Sequence, residues 1–211
     1  MAIIKNGILG GFSGKVGTVV GYTMNGKNIM RGLTERTAKY TEGEIKNTSK
    51  FKLVQDTLSM ILPFIQNGFK NYYTPTGGMR GALSYNRKFA VAGDAPDFYI
   101  DPEKFMVTGG DLPGVEDAQF VLESPKVLRV HWDVGTPAGG NERDQAMLLV
   151  IDLKGQQAVY VNIGAFRSAG TEVVKLKDKL IGQSLHIYLG FVAKDRSRQS
   201  SSQYLGVLDQ W

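Results

Sequence analysis

Leu128-Arg129-Val130-His131-Trp132-Asp133 alternates apolar and polar residues without a break, and this two-residue period decides the fold. Side chains leave the two faces of a strand in turn, so Leu128, Val130 and Trp132 are expected to enter a core while Arg129, His131 and Asp133 face outward. Trp132 is the natural plug of that core, the largest apolar body in the run. Comparable strand runs recur at 118–122, 127–134, 146–152, 158–163, 171–176, 185–192 and 202–208, and Leu185, Ile187, Leu189 and Phe191 form a second inward row. Seven short strands separated by turns predict a β-sandwich.

Upstream the period lengthens. Phe51, Val54, Leu58, Ile61, Ile65 and Phe69 recur every three or four residues, the core face of one helix. Thr48 or Ser49 offers its N-cap, and Pro63, lacking an amide, is expected to kink or divide it near Leu62. A second helix is expected around Met79–Val91, after the turn at 74–78. Before the helices, Val16–Met24 is β-branched and aromatic, and Asn25-Gly26 then predicts a type I′ hairpin into Lys27–Arg31. Gly109-Gly110-Asp111-Leu112-Pro113-Gly114 reads as a linker. The expected fold is α+β and mostly β. Residues 1–112 form a basic α+β region with a Gly-rich hairpin and a long kinked helix, and 113–211 a fibronectin/Ig-like β-sandwich.

Composition narrows the function classes. The 211 residues are 42% apolar and 21% charged, which excludes a collagen and a wholly disordered chain. The absence of Cys removes thiolate catalysis, iron–sulfur clusters and Cys-based zinc sites. The opening residues lack the pattern of a signal peptide, and no apolar run approaches the roughly 20 residues of a membrane helix. Cytoplasmic synthesis without membrane insertion is therefore expected. Charge is divided along the chain: residues 1–90 hold 13 Lys and Arg against four acids, net +9, and residues 91–211 hold 12 against 16, net −4. A basic half of this kind suits phosphate, an anionic partner or an acidic patch on another copy.

Catalytic motifs fail on inspection. Gly10-Gly11-Phe12-Ser13-Gly14-Lys15-Val16 invites a phosphate-loop reading, but Leu9 stands where the first Gly is required and Val16 where a hydroxyl must hold magnesium. Gly14, Gly17 and Gly21 miss the dinucleotide spacing and lead into a hairpin. His131 and His186 fall on outward strand positions, where they are expected as cross-strand neighbours, without a carboxylate to complete a metal site. Asp94, Asp97, Asp101, Glu103 and Asp111 lack calcium-loop spacing; with Pro96 and Pro102 among them they read as turn-formers. No catalytic, cofactor-binding or metal-binding residue is assigned, no cofactor is expected, and the chain reads as no enzyme. An enzyme of unrecognised type would need a deep pocket of polar groups with perturbed pKa values.

Two resemblances extend this reading. Ala2–Tyr22 (AIIKNGILGGFSGKVGTVVGY), with Gly26-Lys27, Arg31, Pro63-Phe64, Gly68-Phe69, Ser84-Tyr85-Asn86 and Arg167-Ser168-Ala169-Gly170-Thr171, resembles an uncharacterised bacterial family of unknown function across nearly the whole chain. That resemblance implies an architecture and no activity. Tyr40-Thr41-Glu42-Gly43-Glu44 departs from it, standing where a Pro-Arg-Thr-Glu run is common. The strands around Leu128–Trp132, Leu148–Ile151, Ile187–Phe191 and Ser200–Gly206 resemble a fibronectin type III-like domain, which implies a binding or spacer module without chemistry of its own.

The leading expectation is a structural protein that assembles with copies of itself or other subunits, as in a phage- or prophage-type particle or a filament. Its apolar, acid-free arm can add to a neighbour's sheet edge, and the expected interface comprises Ile3, Ile4, Ile8, Leu9, Phe12, Lys15, Lys27 and Arg31. The alternative is nucleic-acid binding by the basic half through Lys50, Lys52, Lys70, Arg80, Arg87 and Lys88, with Tyr22, Tyr40, Phe51, Tyr72, Tyr73, Tyr85 and Phe89 as stacking surfaces.

Overall fold

The computed structural model describes all residues except Met1, Lys5, Asn6, Ile8, Leu9, 34–36, 73–77 and 210–211. Of the expected interface residues, Ile8 and Leu9 lie outside the described set. The chain divides into two compact units, 1–42 and 43–211. The boundary expected at 112/113 is therefore corrected: it falls inside the second unit.

The first unit is an antiparallel meander of β1 (Ile3–Ile4), β2 (Phe12–Val16), β3 (Val19–Met24) and β4 (Lys27–Gly32), paired in that order. Asn25 and Gly26 have φ of 50° and 76°, the double positive φ of a type I′ turn. A second tight turn, with Gly17 at φ 54°, divides the Val16–Met24 run that was expected as one strand. Pairing places Lys15, Val20 and Arg31 abreast on one face, with Tyr22 beside Ile29 and Met24 beside Lys27. The opposite face carries Val16, Val19 and Met30. Phe12 lies across Gly21, where a Cβ would stand 2.6 Å from its ring, so only glycine fits.

The second unit opens with α1 (Glu42–Met60), α2 (Leu62–Gly68) and α3 (Gly78–Phe89), followed by a short pair, β5 (Val91–Ala92) and β6 (Tyr99–Ile100). Pro63 lies in the first turn of α2, where its missing amide costs nothing, and the helices separate at Ile61. Because α1 starts at Glu42, Thr48 and Ser49 lie within it and cap nothing. Ser49 instead donates its hydroxyl hydrogen bond to the Ile45 carbonyl at 3.0 Å.

Seven strands complete the unit: β7 (Gln119–Ser124), β8 (Val127–His131), β9 (Gln145–Asp152), β10 (Gln157–Val161), β11 (Thr171–Lys175), β12 (Leu185–Val192) and β13 (Gln203–Leu208). They form one sheet in the order β10-β9-β12-β13 and another in the order β11-β8-β7. The expected sandwich is present, filled by Leu128, Val130, Trp132, Leu148, Val150, Ile187, Leu189 and Phe191.

A second core covers the other face of the four-stranded sheet. Met147, Leu149, Ile151, Tyr188 and Val192 meet Val54, Leu58, Ile61, Phe64, Ile65 and Phe69 of the helical layer. The unit thus has three layers, and β9 is buried on both faces. Two-sided burial requires a continuous apolar run, which Ala146-Met147-Leu148-Leu149-Val150-Ile151 supplies.

The Gly109–Gly114 stretch is a packed strap, contrary to the linker expectation. The Gly109 amide donates to Gly68 O at 2.9 Å, and the Leu112 amide to Gln199 O at 2.9 Å. Tyr72 and Phe69 occupy the space a side chain at Gly109 would need. Upstream of it, Asn86 on α3 clamps the backbone: its amide donates to Met106 O at 2.8 Å, and its carbonyl accepts from the Met106 amide at 2.9 Å.

Candidate functional site

The principal candidate is a groove of about 550 Å³ between α1 and α3, lined by Asn47, Lys50, Phe51, Arg80, Leu83, Ser84, Arg87 and Lys88. Helical spacing explains the convergence: Arg80, Leu83, Ser84 and Arg87 recur at three- and four-residue intervals on one face of α3. The structure thus brings together Lys50, Arg80, Arg87 and Lys88 of the expected nucleic-acid contacts. Lys52 does not line the groove, and Lys70 borders a separate hollow of about 170 Å³ with Asn67, Asn162 and Arg196. Phe51, expected in the core, is 38% exposed at this groove. The Lys50 ammonium stands 4.8 Å from the Phe98 ring centroid, within cation–π range.

The histidines do not meet. His131 is on β8 of the three-stranded sheet and His186 on β12 of the other, so their expected cross-strand relation is corrected. His186 Nδ1 shares a 2.9 Å hydrogen bond with the Tyr204 hydroxyl, and burial holds its pKa below the ordinary value. It borders a mostly apolar hollow of about 360 Å³ with Leu53, Phe98, Ile100 and Lys154.

Of the carboxylates expected in turns, Asp101 is engaged locally, whereas Asp111 is held by a distant residue. Asp101 accepts from the Glu103 amide and pairs with Lys104 at 2.9 Å; Asp111 pairs with Arg198 at 3.0 Å. The Lys104 and Arg198 cations lower the respective carboxyl pKa values. Among the described residues no three His, Asp or Glu side chains gather as metal ligands. No helix among those residues is long and apolar enough to cross a membrane.

A buried ion pair had no signal in spacing or charge. Arg167 is fully buried; Nη1 donates to Gly114 O at 2.6 Å and Nη2 to Pro113 O at 2.7 Å. Its Nε stands 3.6 Å from Asp144, and the guanidinium packs 4.2 Å from the Phe191 ring centroid. Burial lowers the Arg167 pKa against the opposing pull of Asp144. Trp132 donates its indole N–H to the Arg167 carbonyl at 2.9 Å, so the plug and the lock are joined. The sequence signal was the Arg167–Thr171 motif: Gly170 supplies φ 69°, and the Thr171 hydroxyl donates to Val130 O.

The expected interface residues distribute over the first unit's sheet. Ile3 and Ile4 are more than half exposed, Lys15, Lys27 and Arg31 are exposed on the Tyr22 face, and Phe12 crosses Gly21 on the other. Gly21 is the one buried residue among those described in this unit.

These features define a two-sheet β-sandwich whose four-stranded sheet carries a helical layer with a basic groove. The chain belongs to a family of unknown function, DUF6266, whose model matches residues 11–206. No curated protein matches it. Among solved structures, the fn3 domain of human collagen alpha-1(XX) chain is similar at 13% identity and a TM-score of 0.33, over 47% of this chain and 85% of that one.

Proposed function

We propose that the protein is a non-enzymatic structural subunit of a self-assembling complex, a phage- or prophage-type particle or a filament, and that its N-terminal sheet docks on a second copy. One observation carries the reading. The β1–β4 sheet exposes apolar side chains on both faces, Tyr22 and Met24 on one and Val16 and Met30 on the other. An antiparallel sheet gains independent stability by covering an apolar face, so this one calls for a further layer.

Charge favours another copy as that layer. The sheet has no acid before residue 35, whereas residues 91–211 are net −4. Glu116 and Asp133 come together at one end of the sandwich, where the Asp133 amide donates to Glu116 O at 3.3 Å, and Asp117 follows directly. A basic sheet on an acidic end is a head-to-tail contact, the kind that closes rings or propagates filaments. Size-exclusion chromatography with light scattering on the full chain tests it. The unaltered protein is expected as a multimer, with Tyr22→Lys/Met30→Lys shifting it to protomer mass. A protomer peak for the unaltered chain at every concentration refutes the reading.

A further inference from the structure

We propose that the α1–α3 groove binds single-stranded nucleic acid, with Lys50, Arg80, Arg87 and Lys88 on its phosphates and Phe51 against a base. The groove is built wholly from residues of the second unit, so this inference stands or falls independently of self-assembly.

Four cations converge on one groove. Among the described residues, Arg80, Arg87 and Lys88 have no ion-pair partner. Part of this has a local explanation: Arg87 and Lys88 occupy the last turn of α3, where the helix dipole favours a cation. Arg80 has no such reason. It stands in the first turn, whose dipole opposes it, and that turn contains no acid. Bringing these charges together without counter-charge costs stability, and an anion in the groove recovers it.

The other lining residues specify which anion. Phe51 is an aromatic side chain partly exposed at the groove, while Asn47 and Ser84 add side chains able to hydrogen-bond phosphate or sugar. An aromatic platform within a ring of cations is the arrangement that holds unpaired bases and their backbone. A groove of about 550 Å³ is the size of a small-molecule site, room for about one or two bases with the strand's flanking phosphates on the cations along its edge, and not for a duplex. An acidic peptide would satisfy the cations but leave the aromatic face unused.

Fluorescence anisotropy of a labelled oligothymidylate about a dozen nucleotides long, titrated with the full chain over a range of salt, tests this. Four phosphate contacts give a slope near −2.8 in log affinity against log salt, a loss of about 50-fold between about 50 and 200 mM. Arg80→Gln/Arg87→Gln should halve the slope, a readout that a reduced folded fraction does not change. Phe51→Ala should weaken binding about tenfold with the slope unaltered. No binding, or a slope unchanged in the double variant, overturns the proposal. So does polyglutamate binding that needs the same arginines while the oligonucleotide fails to bind, an outcome that assigns the groove to an acidic protein partner.

Discussion

Arg167 holds a full charge inside the sandwich because three groups answer it: the Pro113 and Gly114 carbonyls and the Asp144 carboxylate. Removing one member leaves the others buried without compensation. Arg167→Ala is expected to cost about 3–5 kcal/mol in urea unfolding, and Asp144→Ala a comparable amount. The double variant should cost less than the two together, since each single change already breaks the shared unit. His186 provides a pH signature. Burial lowers its folded-state pKa, so as pH falls the unfolded chain takes up the proton first. This contribution is fully present above the unfolded value of about 6.5 and declines below it. Stability measured between about pH 7 and pH 5 should therefore fall more steeply for the parent than for His186→Gln.

At the scale of elements, β9 and β12 govern the architecture because both their faces are covered. A fragment of residues 113–211 would expose Met147, Leu149, Ile151 and Tyr188, and it is expected to lack the dispersed amide spectrum and cooperative melt of a folded domain. The strap offers a finer test: a Cβ at Gly68 would stand 2.6 Å from Thr108 Cγ2 and 2.8 Å from Val107 O. Gly68→Ala should therefore destabilise by about 1–3 kcal/mol through overpacking, read as a lowered Tm. The seven sandwich strands were legible as short strand-forming runs between turns, with alternation marking the inward rows of β8 and β12, and the division at Pro63 because proline removes a backbone amide. The strap was not legible. Glycine marks close approach as readily as flexibility, and at Gly109 and Gly110 neighbouring side chains and backbone fill the space. The central apolar runs likewise do not reveal what lies on their second face, which is why the domain boundary was misplaced.

For the whole molecule, both hydrophobic cores are built from residues at or beyond position 53. A chain of residues 43–211 is therefore expected to unfold cooperatively in urea, and loss of that transition would show that the first unit is needed for the second to fold. The basic balance of the front half was visible in composition, but its gathering into a groove depends on how α1 and α3 pair, which no local spacing encodes. Phe51 illustrates the difficulty: its helical period matches the core residues, yet it ends at the groove. The Arg167 lock also has a consequence in time. Its guanidinium reaches back 53 and 54 residues to Gly114 and Pro113, so those bonds are expected to close late, after the intervening strands have assembled. Interactions that form after the rate-limiting step slow escape from the native state without hastening arrival. Arg167→Ala should therefore steepen the loss of native protein by raising the unfolding rate while the refolding rate stays near the parent's, a division that stopped-flow unfolding and refolding would resolve.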